Sequence, residues 1–122
     1  MSSCLQNYTS EAETKVTPIS VSEAARYHRR AGVEFIDPRP GEAIAATTGL
    51  IPGARTISIA DIEAGNLPPA FEDRSIRVIA SCQAGPMGAK AAEAIAKLGF
   101  AHVNYIDGGT EAWMAAGLPT SR

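Results

Sequence analysis

Between Ile76 and Gly99 the hydrophobic pattern changes period once, and that change restricts the fold more than any other feature. Ile76-Arg77-Val78-Ile79-Ala80-Ser81 is a short, largely apolar run, the pattern of a buried strand. Cys82-Gln83-Ala84-Gly85-Pro86-Met87-Gly88 follows as a loop of mostly small residues. Residues 87–98 then read as an amphipathic helix, with Met87, Ala91, Ala94, Ile95 and Leu98 on one face and Lys90, Glu93 and Lys97 on the other. Glu93 stands four residues before Lys97, the order that favours a helical ion pair, and Gly99 supplies the stop. A cysteine therefore closes a buried strand and opens onto a helix N-terminus.

The remaining chain repeats this alternation. Residues 1–16 form a polar leader without periodicity, read as a flexible tail, and residues 17–122 as one domain. Ser20-Val21-Ser22-Glu23 has the form of a capping box, which predicts a helix running to Arg30 with Gly32 beyond it. Val33–Asp37 reads as a strand stopped by Pro38 and Pro40, residues 41–48 as a short helical segment, and Thr56–Ile59 as a second strand. Residues 60–73 read as loop with one helical turn, Val103–Ile106 as a strand, and Thr110–Ala116 as a last helix ended by Gly117 and Pro119. Strands that alternate with helices point to an α/β domain with a mainly parallel sheet. In such a sheet ligands sit beyond the carboxyl ends of the strands, where Asp37, Cys82 and Asp107 all fall.

Composition narrows the function classes. The 122 residues, 45% of them apolar and 20% charged, are enough for one domain that needs neither disulfides nor metal. A net charge of −2 with scattered basic residues argues against nucleic acid as a partner. Cys4 and Cys82 are the two cysteines, too few for a disulfide framework, and they point to a reducing compartment. Neither a signal peptide nor a run of about 20 apolar residues is present, so the expectation is a cytoplasmic protein without a membrane partner. His28 and His102 lack the spacing of metal ligands and are read as surface residues, and no cofactor is expected.

The thiolate is the reactive form of cysteine, and a free thiol ionises only near pH 8.5. The loop after Cys82 offers two aids to ionisation: the unsatisfied N–H groups of a helix N-terminus, and Gly and Ala residues that can turn their amides around an anion. Such a loop suits a sulfur anion or a small oxyanion. A cysteine phosphatase would need an arginine to hold phosphate, and no residue from Gln83 to Gly88 is basic.

Four segments in order resemble one family. Ile36-Asp37-Pro38-Arg39, Gly49-Leu50-Ile51-Pro52-Gly53-Ala54, Cys82-Gln83-Ala84-Gly85, and Gly108-Gly109-Thr110-Glu111-Ala112-Trp113 followed by Gly117-Leu118-Pro119 are together similar to the motifs of the rhodanese domains. The resemblance implies a five-stranded, mainly parallel sheet flanked by helices on both faces. It also implies a thiosulfate:cyanide-type sulfurtransferase. Cys82 would take sulfane sulfur from thiosulfate or a thiol persulfide, hold it as a persulfide, and pass it to a thiol or cyanide acceptor, with a sulfur-relay protein as a further candidate partner. The backbone of Gln83, Ala84, Gly85, Pro86, Met87 and Gly88 would cradle the transferred sulfur. A non-catalytic binding or regulatory module on the same fold is the alternative.

Two departures bear on the donor. Gln83 and Met87 stand where thiosulfate-using members of the resembled family often carry arginine, and Leu50 stands in place of a histidine. Both changes imply a more apolar, less cationic site. Asp37 and Arg39 are candidate substrate contacts, with bracing of the loops as the weightier reading, and Arg55 is a candidate rim cation. Trp113 is read as core, and Glu111 and Asp107 as helix-entry acids.

Overall fold

The computed structural model describes residues 16–122. The expected tail over residues 1–16, Cys4 included, lies outside them except for Val16. Five strands, β1 (Thr17–Ile19), β2 (Val33–Asp37), β3 (Arg55–Thr56), β4 (Arg77–Ala80) and β5 (His102–Ile106), form one sheet in the order β1-β5-β4-β2-β3. Every neighbouring pair is parallel, with Phe35 level with Ile79 and Val78 level with Val103. The helices are α1 (Val21–Tyr27), α2 (Gly41–Ala46), α3 (Ile59–Glu63), α4 (Pro86–Lys97) and α5 (Gly109–Ala115), with a 3₁₀ turn at Pro69–Glu72.

The central strand β4 is covered on both sides, so Val78, Ile79 and Ala80 run apolar without alternation. Ile36, Val78 and Ala80 face one core, which holds Ile62 of α3 and Ala91, Ala92 and Ile95 of α4. Phe35, Ile79 and Ile106 face the other, with Ala24 of α1 and Trp113 of α5. The chain leaves β2 towards one edge of the sheet and leaves β4 towards the other. The crevice between the carboxyl ends of β2 and β4 is therefore the topological switch point, the usual ligand position of an open α/β sheet.

Several sequence expectations need correction. Ile59 belongs to a helix, because the Ser58 side chain accepts from the Asp61 amide and caps α3, leaving β3 with two residues. The edge strand β1 was not anticipated. Ser20 does cap α1 by accepting from the Glu23 amide at 3.1 Å, but the helix ends at Tyr27 rather than Arg30. Met87 does not join the buried face of α4; it is 40% exposed. Among the described residues no ion pair joins Glu93 to Lys97. His28 is half-buried, with its ring packed edge-on against Phe35 and Trp113. Its Nε2 lies 2.8 Å from the carbonyl oxygen of Pro52, which can only accept, so Nε2 carries a proton.

Candidate active site

Cys82 is the second residue after β4, with Ser81 between them, and is 4% exposed. The ladder between β2 and β4 continues one step past the strand, where the Ser81 amide donates to the Ile36 carbonyl at 2.9 Å. That bond sets the start of the loop beside the end of β2. Gly85, the N-cap of α4, has a φ of +140°, a value open to glycine, and Pro86 occupies the first turn, where its missing N–H leaves no helical bond unmade. The resulting turn brings the Gly85 amide to the thiol: its N–H donates to Cys82 Sγ at 3.0 Å. The twelve-residue α4 thus begins at the sulfur.

The back of the loop is held by α5. The Thr110 amide donates to the Cys82 carbonyl at 2.8 Å, and the Glu111 amide to the Gln83 carbonyl at 3.0 Å. These carbonyls satisfy two of the N–H groups that the start of α5 leaves without helical partners. The described peptide bonds are all trans, so each N–H points opposite its carbonyl. The amides of Gln83 and Ala84 consequently point away from α5. Approach this close requires glycine at the helix start: a Cβ on Gly109, whose φ is +65°, would lie 2.7 Å from the Gln83 carbonyl oxygen and 2.8 Å from that of Cys82. Under the loop, Ser81 Oγ and Thr110 Oγ1 share a buried hydrogen bond of 2.7 Å. Gly88 lies against the strand end, where a Cβ would stand 3.3 Å from the Cys82 nitrogen.

The other sequence-derived candidates divide. Gln83, Ala84, Pro86 and Met87 are exposed around the thiol's loop, Gly85 is half-buried and Gly88 buried. The Gln83 side chain turns to α5, where Nε2 donates to Glu111 Oε2 at 2.9 Å. Asp37 and Arg39 form a buried bidentate ion pair of 2.7 and 3.0 Å, and the Arg39 backbone amide donates to the same carboxylate at 3.0 Å. The guanidinium also donates to Thr47 Oγ1 at 3.1 Å and to Thr48 Oγ1 at 3.0 Å, which ties the end of β2 to the segment after α2. These contacts support bracing of the loop for both residues.

Arg55 is no free cation at the rim, because its Nε donates to Glu34 Oε1 at 2.8 Å. Leu50 lines a shallow cavity with Gly41, Ile44 and Arg122, and its backbone bridges to that of Ser121, which places it against the C-terminal segment. Trp113 is buried in the core as expected, with Nε1 donating to the Pro119 carbonyl at 2.8 Å. Glu111 is the residue that sequence reasoning missed: it was read as a helix-entry acid, yet it binds the loop twice. The consecutive glycines before it, a sign of close backbone approach, were the one available hint. Among the described residues no group of three or more His, Cys, Asp or Glu side chains could hold a metal ion, and no helix is long and apolar enough to cross a membrane.

Comparison with known proteins agrees with this architecture. Residues 20–116 match the rhodanese-like domain family. No curated protein sequence shows significant similarity to the chain. Among solved structures, a protein of unknown function from Rhodopseudomonas palustris, described as a possible tyrosine phosphatase, superposes with a TM-score of 0.77 at 25% identity, over 90% of this chain and 88% of that one. The human single-domain sulfurtransferase TSTD1 superposes with a TM-score of 0.68 at 23% identity, over 80% and 95% of the two chains. A rhodanese-like domain protein from Staphylococcus aureus gives 0.65 at 24% identity, over 88% and 100%. With the family match spanning most of its length, the five-stranded parallel sheet and the loop at the end of its central strand, the chain belongs to the rhodanese-like domain family.

Proposed function

We propose that the protein is a sulfur carrier and sulfurtransferase that works through a persulfide on Cys82. One observation carries the reading: the Gly85 amide donates to Sγ at 3.0 Å where α4 begins. A donor aimed at the sulfur, backed by the positive end of a helix dipole, favours negative charge at that atom. Thiolate Cys82 attacks the outer sulfur of a sulfane donor, the donor's sulfur bond breaks, and its remainder leaves with the electron pair. A thiol or cyanide then removes the sulfur and restores the thiolate. The loop's backbone from Gln83 to Gly88 cradles the terminal sulfur, and a sulfur-relay protein is a candidate donor or acceptor.

The loop chemistry favours sulfur transfer over phosphate ester hydrolysis, the activity suggested for the Rhodopseudomonas palustris neighbour. Phosphoryl chemistry needs a cation on the phosphate oxygens. Gln83 to Gly88 contain none, and the guanidinium of Arg39 is committed to Asp37. The same lack of charge makes thiosulfate a poor donor and favours a small-thiol or protein persulfide, since each charge-assisted contact is worth about 1.5–3 kcal/mol. Steady-state assays with thiosulfate, glutathione persulfide and mercaptopyruvate test the ranking. The expected result is higher kcat/KM with the persulfide; dominant thiosulfate activity would overturn it.

A further inference from the structure

We infer that Glu111 sets the donor's charge: its carboxylate at the loop disfavours anionic sulfane donors, in proportion to their charge. The inference rests on the sulfurtransferase reading and extends it to a residue outside the loop. Gln83 is the one polar side chain between Cys82 and Lys90. Its amide nitrogen is the one side-chain donor the loop could turn towards an anion, and it is bound instead to Glu111 Oε2 at 2.9 Å. The Glu111 backbone amide fixes the same residue through the Gln83 carbonyl at 3.0 Å. Glu111 thus withdraws the loop's only side-chain donor and places a carboxylate beside the residue next to the nucleophile.

The carboxylate lies in the first turn of α5, where the helix dipole offsets only part of its charge. Among the described residues no ion pair reaches Glu111. Lys90, the next cation along the chain, lines a cavity between α3 and α4 with Glu63 and Glu93. Arg39 is paired with Asp37 and Arg55 with Glu34. At the loop itself an incoming anion meets backbone amides and the exposed Glu111 carboxylate.

Two donors isolate the charge because their chemistry is the same. In thiosulfate, a dianion, the Cys82 thiolate attacks the outer sulfur, the S–S bond breaks and sulfite leaves with the electron pair. In an arenethiosulfonate, a monoanion, the same attack releases an arenesulfinate. Coulomb energy is linear in the donor's charge, so the rate effect on the dianion is the square of that on the monoanion. Glu111→Gln keeps an acceptor for the Gln83 amide and removes the charge, whereas Glu111→Ala removes both.

The test measures kcat/KM for both donors with wild type, Glu111→Gln and Glu111→Ala, at low and high salt. At low salt Glu111→Gln should raise kcat/KM by about three- to tenfold for thiosulfate and by roughly two- to threefold for the thiosulfonate. Salt should erase the difference, because the Debye length falls from about 30 Å at 0.01 M to about 3 Å at 1 M. Glu111→Ala should show at least the same gain for thiosulfate, with the Gln83 amide freed. Equal changes for the two donors, no change, or a gain that persists at 1 M salt would overturn the role of charge. If wild type accepts sulfur from neither donor nor from a persulfide, the sulfurtransferase reading itself fails, a result distinct from unselective turnover.

Discussion

A Cβ added to Gly109 would lie 2.7 Å from the carbonyl oxygen of Gln83, closer than side-chain carbons approach backbone oxygens. The start of α5 and the loop after Cys82 are thus built against each other, and the position of the thiol depends on a glycine 27 residues away in sequence. Replacing Gly109 with Ala should destabilise the protein by about 2–4 kcal/mol, the sum of left-handed backbone strain and a forced shift of the loop. Gly117 is the control. Its φ is +84° but nothing lies within 4 Å of its Cβ position, so Gly117→Ala should cost only about 1–2 kcal/mol. Urea denaturation of the two variants checks the difference, and equal losses would refute the close-packing account.

The buried pair of Asp37 and Arg39 braces the end of β2. Removing either partner alone leaves a charge buried without compensation, so Arg39→Leu and Asp37→Leu should each cost about 3–5 kcal/mol, while the double variant should lose less than the sum. A double-mutant cycle in urea measures this coupling. Additive losses would show that the two side chains act independently.

Ser81 and Thr110 join the floor of the loop to α5 through one buried hydrogen bond. Thr110→Val should cost about 1–3 kcal/mol by leaving the Ser81 hydroxyl with only the weak 3.4 Å contact to the Cys82 carbonyl. Adding Ser81→Ala to that variant should recover part of the loss, because both polar groups are then gone. Thermal melts of the single and double variants decide the matter; a double variant worse than Thr110→Val would contradict it.

Asp73 lies in the turn before β4 and accepts from Ser75, at 2.6 Å from the hydroxyl and 2.9 Å from the amide. The Ser75 hydroxyl first, then the amide, hold its carboxyl below the ordinary value of 3.8. A lowered native value means that the stabilisation is present above the unfolded value and is lost as pH falls through the native one. An NMR titration should find the Asp73 midpoint below 3.8 in wild type and nearer the ordinary value in Ser75→Ala. Identical midpoints would discount the hydroxyl contact.

Segments whose own side chains carry a strong period were legible in the sequence. The buried run from Val78 to Ala80 and the stripe of Ala91, Ala94 and Ile95 located β4 and α4, and with them Cys82. Expectations failed where a non-local contact decides the outcome. Thr56-Ile57-Ser58-Ile59 alternates as a strand should, yet Ser58 is satisfied by capping the Asp61 amide and the chain turns into a helix. The strand β1 contributes one buried side chain, Ile19, and owes its form to pairing with β5. Met87 has the spacing of the buried face of α4, but it lies in the first turn, at the edge of the core.

The site shows the same division. Cys82 and its glycines announce a loop that can enclose an anion, because those residue types act locally. The side-chain bond from Gln83 to Glu111 spans 28 residues and has no local trace. Arg55 reads as a rim cation in sequence and proves to be paired with Glu34, 21 positions earlier, whereas Arg39, only two positions from Asp37, takes the bracing role that its place at the strand end suggests.

Intact-mass spectrometry tests the central claim most directly. Wild type and Cys82→Ser are each incubated with thiosulfate, a thiosulfonate and a small-thiol persulfide, then treated with cyanide. The account predicts that wild type gains the mass of one sulfur atom from at least one donor, that cyanide removes it, and that Cys82→Ser gains nothing. No gain by wild type with any donor, or an equal cyanide-labile gain by Cys82→Ser, would contradict it.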